Sequence, residues 1–215
     1  MTDHLHETTK KIKQSLRLSM NGIVSAHQRR QGLDYKINFG VEIPRLKEIA
    51  AEYPKSKELA TALWKENIRE CKLLAIFLMP QEDGASIATE WIAEAPFTEI
   101  ADHLSKNILR HLPDALPRAL AWTENEEGLF RYCGYLTLTH LVREGAGLTP
   151  AQEETLCNGT AALFAQEADS TLCRTAFTAL CRYAEEESAR TARLLNLIPA
   201  DSALRTLAEE YFAQD

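Results

Sequence analysis

Apolar residues recur three or four positions apart along nearly the whole chain. Ile12, Leu16, Met20 and Val24 stand at four-residue intervals, and Leu46, Ile49 and Ala50, then Ile100, Leu104 and Ile108, keep the same rhythm. Residues so spaced fall on one face of an α-helix, so the pattern predicts a long succession of amphipathic helices. Period-two alternation is never sustained, and no Asn-Gly or Asp-Gly joins β-branched runs, which leaves strand signals nearly absent.

Breaks divide this pattern. The stretch from about Thr8 to Arg30 splits at Asn21-Gly22 into two short helices, and the polar segment QGLDYKINFGVEIP follows. Pro44 suits the first turn of a helix that carries Leu46 and Ile49 and stops near Pro54. Beyond it, helices are predicted at about 56–66, 68–79, 84–94, 97–111, 114–123, 125–143, 149–166, 169–185, 187–196 and 201–213. Pro80, Pro96, Pro113 and Pro150 mark breaks, as do Asp83-Gly84 and Gly145-Ala146-Gly147. Asp169, Ser170, Asp201 and Ser202 are the expected N-caps.

Every second helix opens a similar unit: IRECKLLAIFL at Ile68, FTEIADHLSKNIL at Phe97, GLFRYCGYLTL at Gly128 and STLCRTAFTALCRYA at Ser170. A period of about 30 to 40 residues is that of helical-repeat solenoids, whose helix pairs cannot bury their apolar faces alone and must stack. The predicted fold is all-α, a right-handed α-α superhelix of HEAT/ARM-like repeats with one concave surface, forming a single domain over residues 1–215.

Composition narrows the function. The 215 residues, 45% hydrophobic and 26% charged, suit a soluble globular chain. No apolar run approaches the roughly 20 residues that cross a bilayer, and the opening MTDHLHETTKK has no apolar signal core, so a cytoplasmic address away from membranes is expected. Cys71, Cys133, Cys157, Cys173 and Cys181 sit in apolar helical patterns without CxxC pairing and read as reduced core residues. No metal site and no cofactor are expected. Trp64, Trp91 and Trp122 read as core, and His103 and His111 as surface or packing residues. No Walker loop, GxSxG elbow, HExxH or dinucleotide fingerprint occurs, so phosphoryl transfer, serine hydrolysis and zinc proteolysis lose their usual support.

The net charge of −7 argues against coating nucleic acid indiscriminately, because phosphate neutralisation needs excess Lys and Arg. A local basic groove remains compatible with it. The repeat-opening helices carry polar stripes at four-residue spacing: Asp102, Lys106 and Arg110; Arg131, Tyr135 and Thr139; Arg174, Thr178 and Arg182. Stacked in register, these would align into a basic strip with one carboxylate inside it, extended by Arg69, Lys72, Arg45 and Lys47. The bland alternative is a set of ordinary solvated faces.

The segment NFGVEIPRLKEIAAEYPKSKELATALWKENIRECKLLAIFLM carries Gly40-Val41 before Pro44, then Arg45, a Leu63-Trp64 helix end and Glu70 opening the next helix. In these features the chain resembles the AlkD-like DNA alkylation repair family. The resemblance implies HEAT-like repeats that bind duplex DNA, with or without alkylation damage, on a basic face. It also implies hydrolysis of the glycosidic bond of cationic N3- or N7-alkylpurines without base extrusion. Asp102 would take the place of the family's carboxylate, which stabilises positive charge developing on the sugar. The family's two tryptophans fall on Thr98 and on or beside Thr178, and its catalytic-face arginine near Arg131 or Tyr132. Two readings follow: a monomeric alkylpurine DNA glycosylase, or a non-catalytic relative whose groove holds a DNA structure or a protein partner.

Overall fold

The computed structural model describes residues 2–167, 170–185 and 187–213. They form thirteen α-helices: α1 Thr2–Leu18, α2 Gly22–Arg30, α3 Ile43–Ala51, α4 Lys57–Trp64, α5 Arg69–Leu78, α6 Gly84–Ala93, α7 Thr98–Asn107, α8 Ala115–Thr123, α9 Gly128–Arg143, α10 Pro150–Glu167, α11 Thr171–Glu185, α12 Ser188–Leu197 and α13 Ala203–Phe212. Short 3₁₀ turns occupy Gln81–Asp83 and Leu109–His111. No strand forms among the described residues, and the one ladder-like contact is an isolated bridge between Ile37 and Ile68. The chain is all-α, as its periodicity predicts.

The helices gather into two compact units, Met1–Leu112 and Pro113–Asp215. In the first, α4 packs on α5 and α1 on α4, while α5 also touches both α3 and α7. Sequence neighbours therefore pair, and helices two apart lie side by side, which is the contact pattern of stacked helical repeats. Helix α5 sits at the centre with Leu73, Leu74 and Ala75 fully buried. Trp64 and Trp91 stack at 4.2 Å and 2° between ring planes, joining α4 to α6. The second unit repeats the scheme: α8 pairs with α9, α9 with α11, α10 with α11 and α12. Its core runs from Ala119 through Leu138, Phe164 and Leu180 to Leu204.

Local chemistry sets the boundaries. Asn21 caps α2, its Oδ1 accepting from the amides of Ile23 and Val24. Pro44 lies in the first turn of α3, and Ser170 and Ser202 accept from the Cys173 and Arg205 amides at the starts of α11 and α13. Asp201 makes no such cap, and Asp169 lies outside the described residues. One expected helix is interrupted. The stretch 97–111 leaves helical geometry at Ile108 (φ −126°, ψ −59°), and the Ile108 side chain lies over Gly84, where a Cβ would stand 2.9 Å from it.

A buried polar network fastens the segment before α3 to the helices beside it. The Glu70 carboxylate accepts from three successive amides, Phe39 (3.1 Å), Gly40 (3.0 Å) and Val41 (3.2 Å). Gly40 takes φ +71°, and a Cβ there would stand 2.2 Å from the Asn21 carbonyl, so only glycine lets α2 approach this closely. Arg69, 2% exposed, donates to the Val41 carbonyl and to Glu70, and grips Glu99 in the first turn of α7 at 2.5 to 3.2 Å. The Tyr35 hydroxyl donates to Glu99 as well, at 3.1 Å. Burial alone would lower the Arg69 pKa, but hydrogen bonds and charge from Glu99, with Glu70 beside it, hold it above the ordinary value.

Candidate functional site

The C-terminal ends of α3, α5 and α7 meet the turn at Leu109–His111 around a groove of about 450 Å³. Lys47, Lys55, Lys106 and Arg110 line it beside His111 and Tyr53, and its described lining includes no carboxylate. Each helix C-terminus brings roughly half a negative charge, so three together contribute about −1.5 against four cations. Cationic side chains thus outnumber acidic ones in its lining, within a chain of net charge −7. Among the described residues no carboxylate pairs with Lys47, Lys55 or Lys106, and Arg110 donates to Nε2 of His111 at 3.1 Å.

His103 lies beneath this surface, meeting Phe77 edge-on with ring centroids 5.6 Å apart. Burial pushes its pKa below the ordinary value, Glu99 opposes that, and Arg69, Lys106 and Lys47 add to the depression. These influences together favour the neutral ring. Lys47 and Lys106 come from helices that are neighbours only after folding, yet both act on this one imidazole.

Asp102 is exposed on α7, one turn before Lys106. Thr98 is exposed a turn earlier, and Thr178 is exposed on α11, its hydroxyl donating to the Arg174 carbonyl. An aromatic residue directly precedes each threonine, but one residue is about 100° of helix rotation. Phe97 accordingly turns onto Tyr35, with centroids 4.6 Å apart, and Phe177 onto Phe164 and Tyr211. Neither ring therefore stands on the face that its threonine presents.

The other residues of the expected strip are scattered. Lys47, Lys106 and Arg110 meet in the groove. Arg69 does not reach the surface, being locked between Glu70 and Glu99. Lys72 donates to the Trp64 carbonyl (2.9 Å) and stands 4.3 Å over the Trp64 ring, and burial lowers its pKa. Tyr135, at 1% exposure, and Thr139, at 6%, are core residues, so the second stripe does not form a face. Arg131, at the start of α9, is half-buried, and its Nε meets no partner. Arg45 is exposed and held by Glu48 and Ser19; Arg174 and Arg182 are exposed on α11, the latter paired with Glu185.

Sequence reasoning missed Lys55, which sits in the turn after α3 where no periodicity assigns it a face. It also missed Glu70 as a ligand for backbone amides, although an acidic residue opening an otherwise apolar helix was a visible signal. The cysteines behave as expected: all five are buried, and burial drives the thiols of Cys71, Cys157 and Cys181 up to about 12. Among the described residues no cluster of His, Cys, Asp or Glu could hold a metal, and no helix is long and apolar enough to cross a membrane.

Stacked helix pairs, with a cation-lined groove at the helix ends of the first unit, define an all-α helical-repeat protein. Residues 12–191 match the family described as DNA alkylation repair enzyme, and the chain belongs to that family. Comparison with curated proteins and with solved structures gives no match.

Proposed function

We propose that the chain binds duplex DNA through the groove of Lys47, Lys55, Lys106 and Arg110 and hydrolyses the N-glycosidic bond of cationic N3- or N7-alkylpurines. The observation that carries this reading is the convergence of Lys47, Lys55, Lys106 and Arg110 on one groove, in a chain that is acidic overall. Each cation that meets a phosphate releases condensed counterions, so affinity falls steeply with salt. Asp102, one turn from Lys106, is the electrostatic partner for the sugar. A cationic purine is already an activated leaving group, and the remaining task is to stabilise an oxocarbenium-like sugar and position water. Exposed in the free protein, Asp102 gains strength as a stabiliser when the duplex covers it and excludes water.

The inward turn of Phe97 and Phe177 favours a second reading, a relative that binds DNA without turnover. Neither threonine offers a π-face to hold the cationic base. The two readings separate in one experiment: base release from methylated duplex DNA by the parent and by Asp102→Asn. Loss of a comparable preorganised electrostatic contact costs about a hundredfold in rate or more. Equal release by both proteins removes Asp102 from the mechanism, and no release by either assigns the chain to the binding class. Duplex binding at low salt that is unchanged in Lys47→Glu/Lys106→Glu removes the groove.

A further inference from the structure

The end of α2, the turn at Asp34 to Lys36 and the start of α7 enclose a second cleft, of about 410 Å³. Its aromatic side is formed by Phe97, half-buried and packed against the buried Tyr35 ring at 60°. Around it stand four exposed polar side chains: Arg29, Lys36, Asp34 and Asn67. Among the described residues none of these four has a side-chain hydrogen bond or ion pair. The layer directly beneath, Tyr35, Glu99 and Arg69, is by contrast fully engaged.

That division has chemical content. The buried layer fixes the aromatic side, because the Tyr35 hydroxyl is held by Glu99, which Arg69 holds in turn. The outer layer keeps its donors, acceptors and two cations uncommitted. A ring that can be stacked upon, hydrogen-bonding groups of both kinds and a cationic edge together match a nucleoside phosphate. The base would lie on Phe97, its edge would meet Asn67 and Asp34, and its phosphate would meet Arg29 and Lys36. Base-on-aromatic stacking tolerates any base, and Asn and Asp add donors and acceptors for exocyclic groups.

We propose that this cleft is a nucleotide-binding site distinct from the Lys106 groove, taking one unstacked nucleoside phosphate. The ligand chemistry is the same whether the nucleotide is free or is an unpaired residue within a DNA strand.

The test uses the whole chain and deoxyadenosine monophosphate, deoxyadenosine and inorganic phosphate as probes in calorimetric titrations. The nucleotide should bind saturably and more tightly than either fragment. Arg29→Glu/Lys36→Glu should weaken it by about tenfold or more, and Phe97→Leu, which keeps bulk but loses the stacking face, by a similar factor. Circular dichroism checks that both variants fold. Lys47→Glu/Lys106→Glu, which disables the proposed DNA groove, should leave nucleotide affinity unchanged, so failure of one site is distinguishable from failure of the other. Tighter binding of a duplex with one bulged nucleotide than of a flush duplex, lost in Arg29→Glu/Lys36→Glu, identifies the strand as the source. Equal binding of both duplexes identifies the free nucleotide. Absence of nucleotide binding, inorganic phosphate binding as tightly as the nucleotide, or loss of binding only in the groove variant overturns the proposal.

Discussion

Helices α7 and α9 each open a repeat and each carry polar residues four apart, yet they end up in opposite situations. Asp102 and Lys106 of α7 are exposed, whereas Tyr135 and Thr139 of α9 are buried. Helix α7 is fastened at its first turn by an ion pair, Glu99 to Arg69. Helix α9 is fastened by close backbone approach: a Cβ on Gly134 would stand 2.7 Å from the Thr123 amide and 2.8 Å from the Ala119 carbonyl of α8. Helix α9 packs on both α8 and α11, and Tyr135 reaches Thr160 of α10, so little of its circumference is left for solvent. A helix held at one end by charge can display a polar face, and one gripped along its length cannot.

Removing Arg69 strikes the α7 attachment and should have the largest effect. Arg69→Met leaves Glu70 and Glu99 without their cation, and breaking a buried pair from one side costs ~3–5 kcal/mol. Chemical denaturation should show a loss in that range, and a change under 1 kcal/mol, on the order of an exposed pair, would contradict a structural role for the pair. On the α9 side, Gly134→Ala forces a methyl against α8 backbone, which has no rotamer to yield. A loss of ~1–3 kcal/mol is expected by thermal unfolding. Gly128→Ala, in open space at the start of the same helix, should be neutral or mildly stabilising.

The second unit has its own buried carboxylate. Glu153, 1% exposed, accepts from Nε and Nη2 of Arg193 at 2.6 Å and from the Tyr183 hydroxyl at 2.5 Å. Hydrogen bonding from Arg193 holds its pKa below the ordinary carboxylate value against the opposing effect of burial, and Tyr183 adds to the lowering. A depressed folded-state pKa means that the stability is present above the unfolded carboxylate value, about 4.3, and is lost as pH falls through the lower folded value. Melting midpoints between about pH 7 and pH 3 should therefore fall less steeply in Glu153→Gln than in the parent. An identical acid limb would show that Glu153 contributes nothing there. The smallest effect on stability is expected for Lys106→Glu, within about 0.5 kcal/mol, because the side chain is exposed and pairs with no carboxylate among the described residues. A large destabilisation would mean that Lys106 holds the fold rather than the groove.

The difference between α7 and α9 was partly legible. Residues 132 to 139 of α9 read YCGYLTLT, without a charge, whereas α7 carries Glu99, Asp102 and Lys106 within ten residues. Four-residue spacing alone treats both stripes alike, because it reports which residues share a face and not how many neighbours cover that face. Arg69 and Lys72 were misplaced for the same reason, since α5 packs against α3, α4 and α7 at once.

What the sequence determined by itself is the all-helical class, the helix boundaries to within a few residues, the buried tryptophans and cysteines, and membership of the family carried by its Gly-Val, Pro-Arg and Leu-Trp features. These depend on apolar periodicity, on capping residues and on proline and glycine, all of which act over a single turn or a single helix. Tertiary structure alone decided which cations meet. Lys47, Lys55, Lys106 and Arg110 span more than sixty positions of sequence and come from two helices and two turns. It also turned Arg69 from an expected surface cation into the centre of a buried network. Both outcomes depend on how many helices pack around a given one, and that number is set by stacking between repeats, which no local pattern encodes.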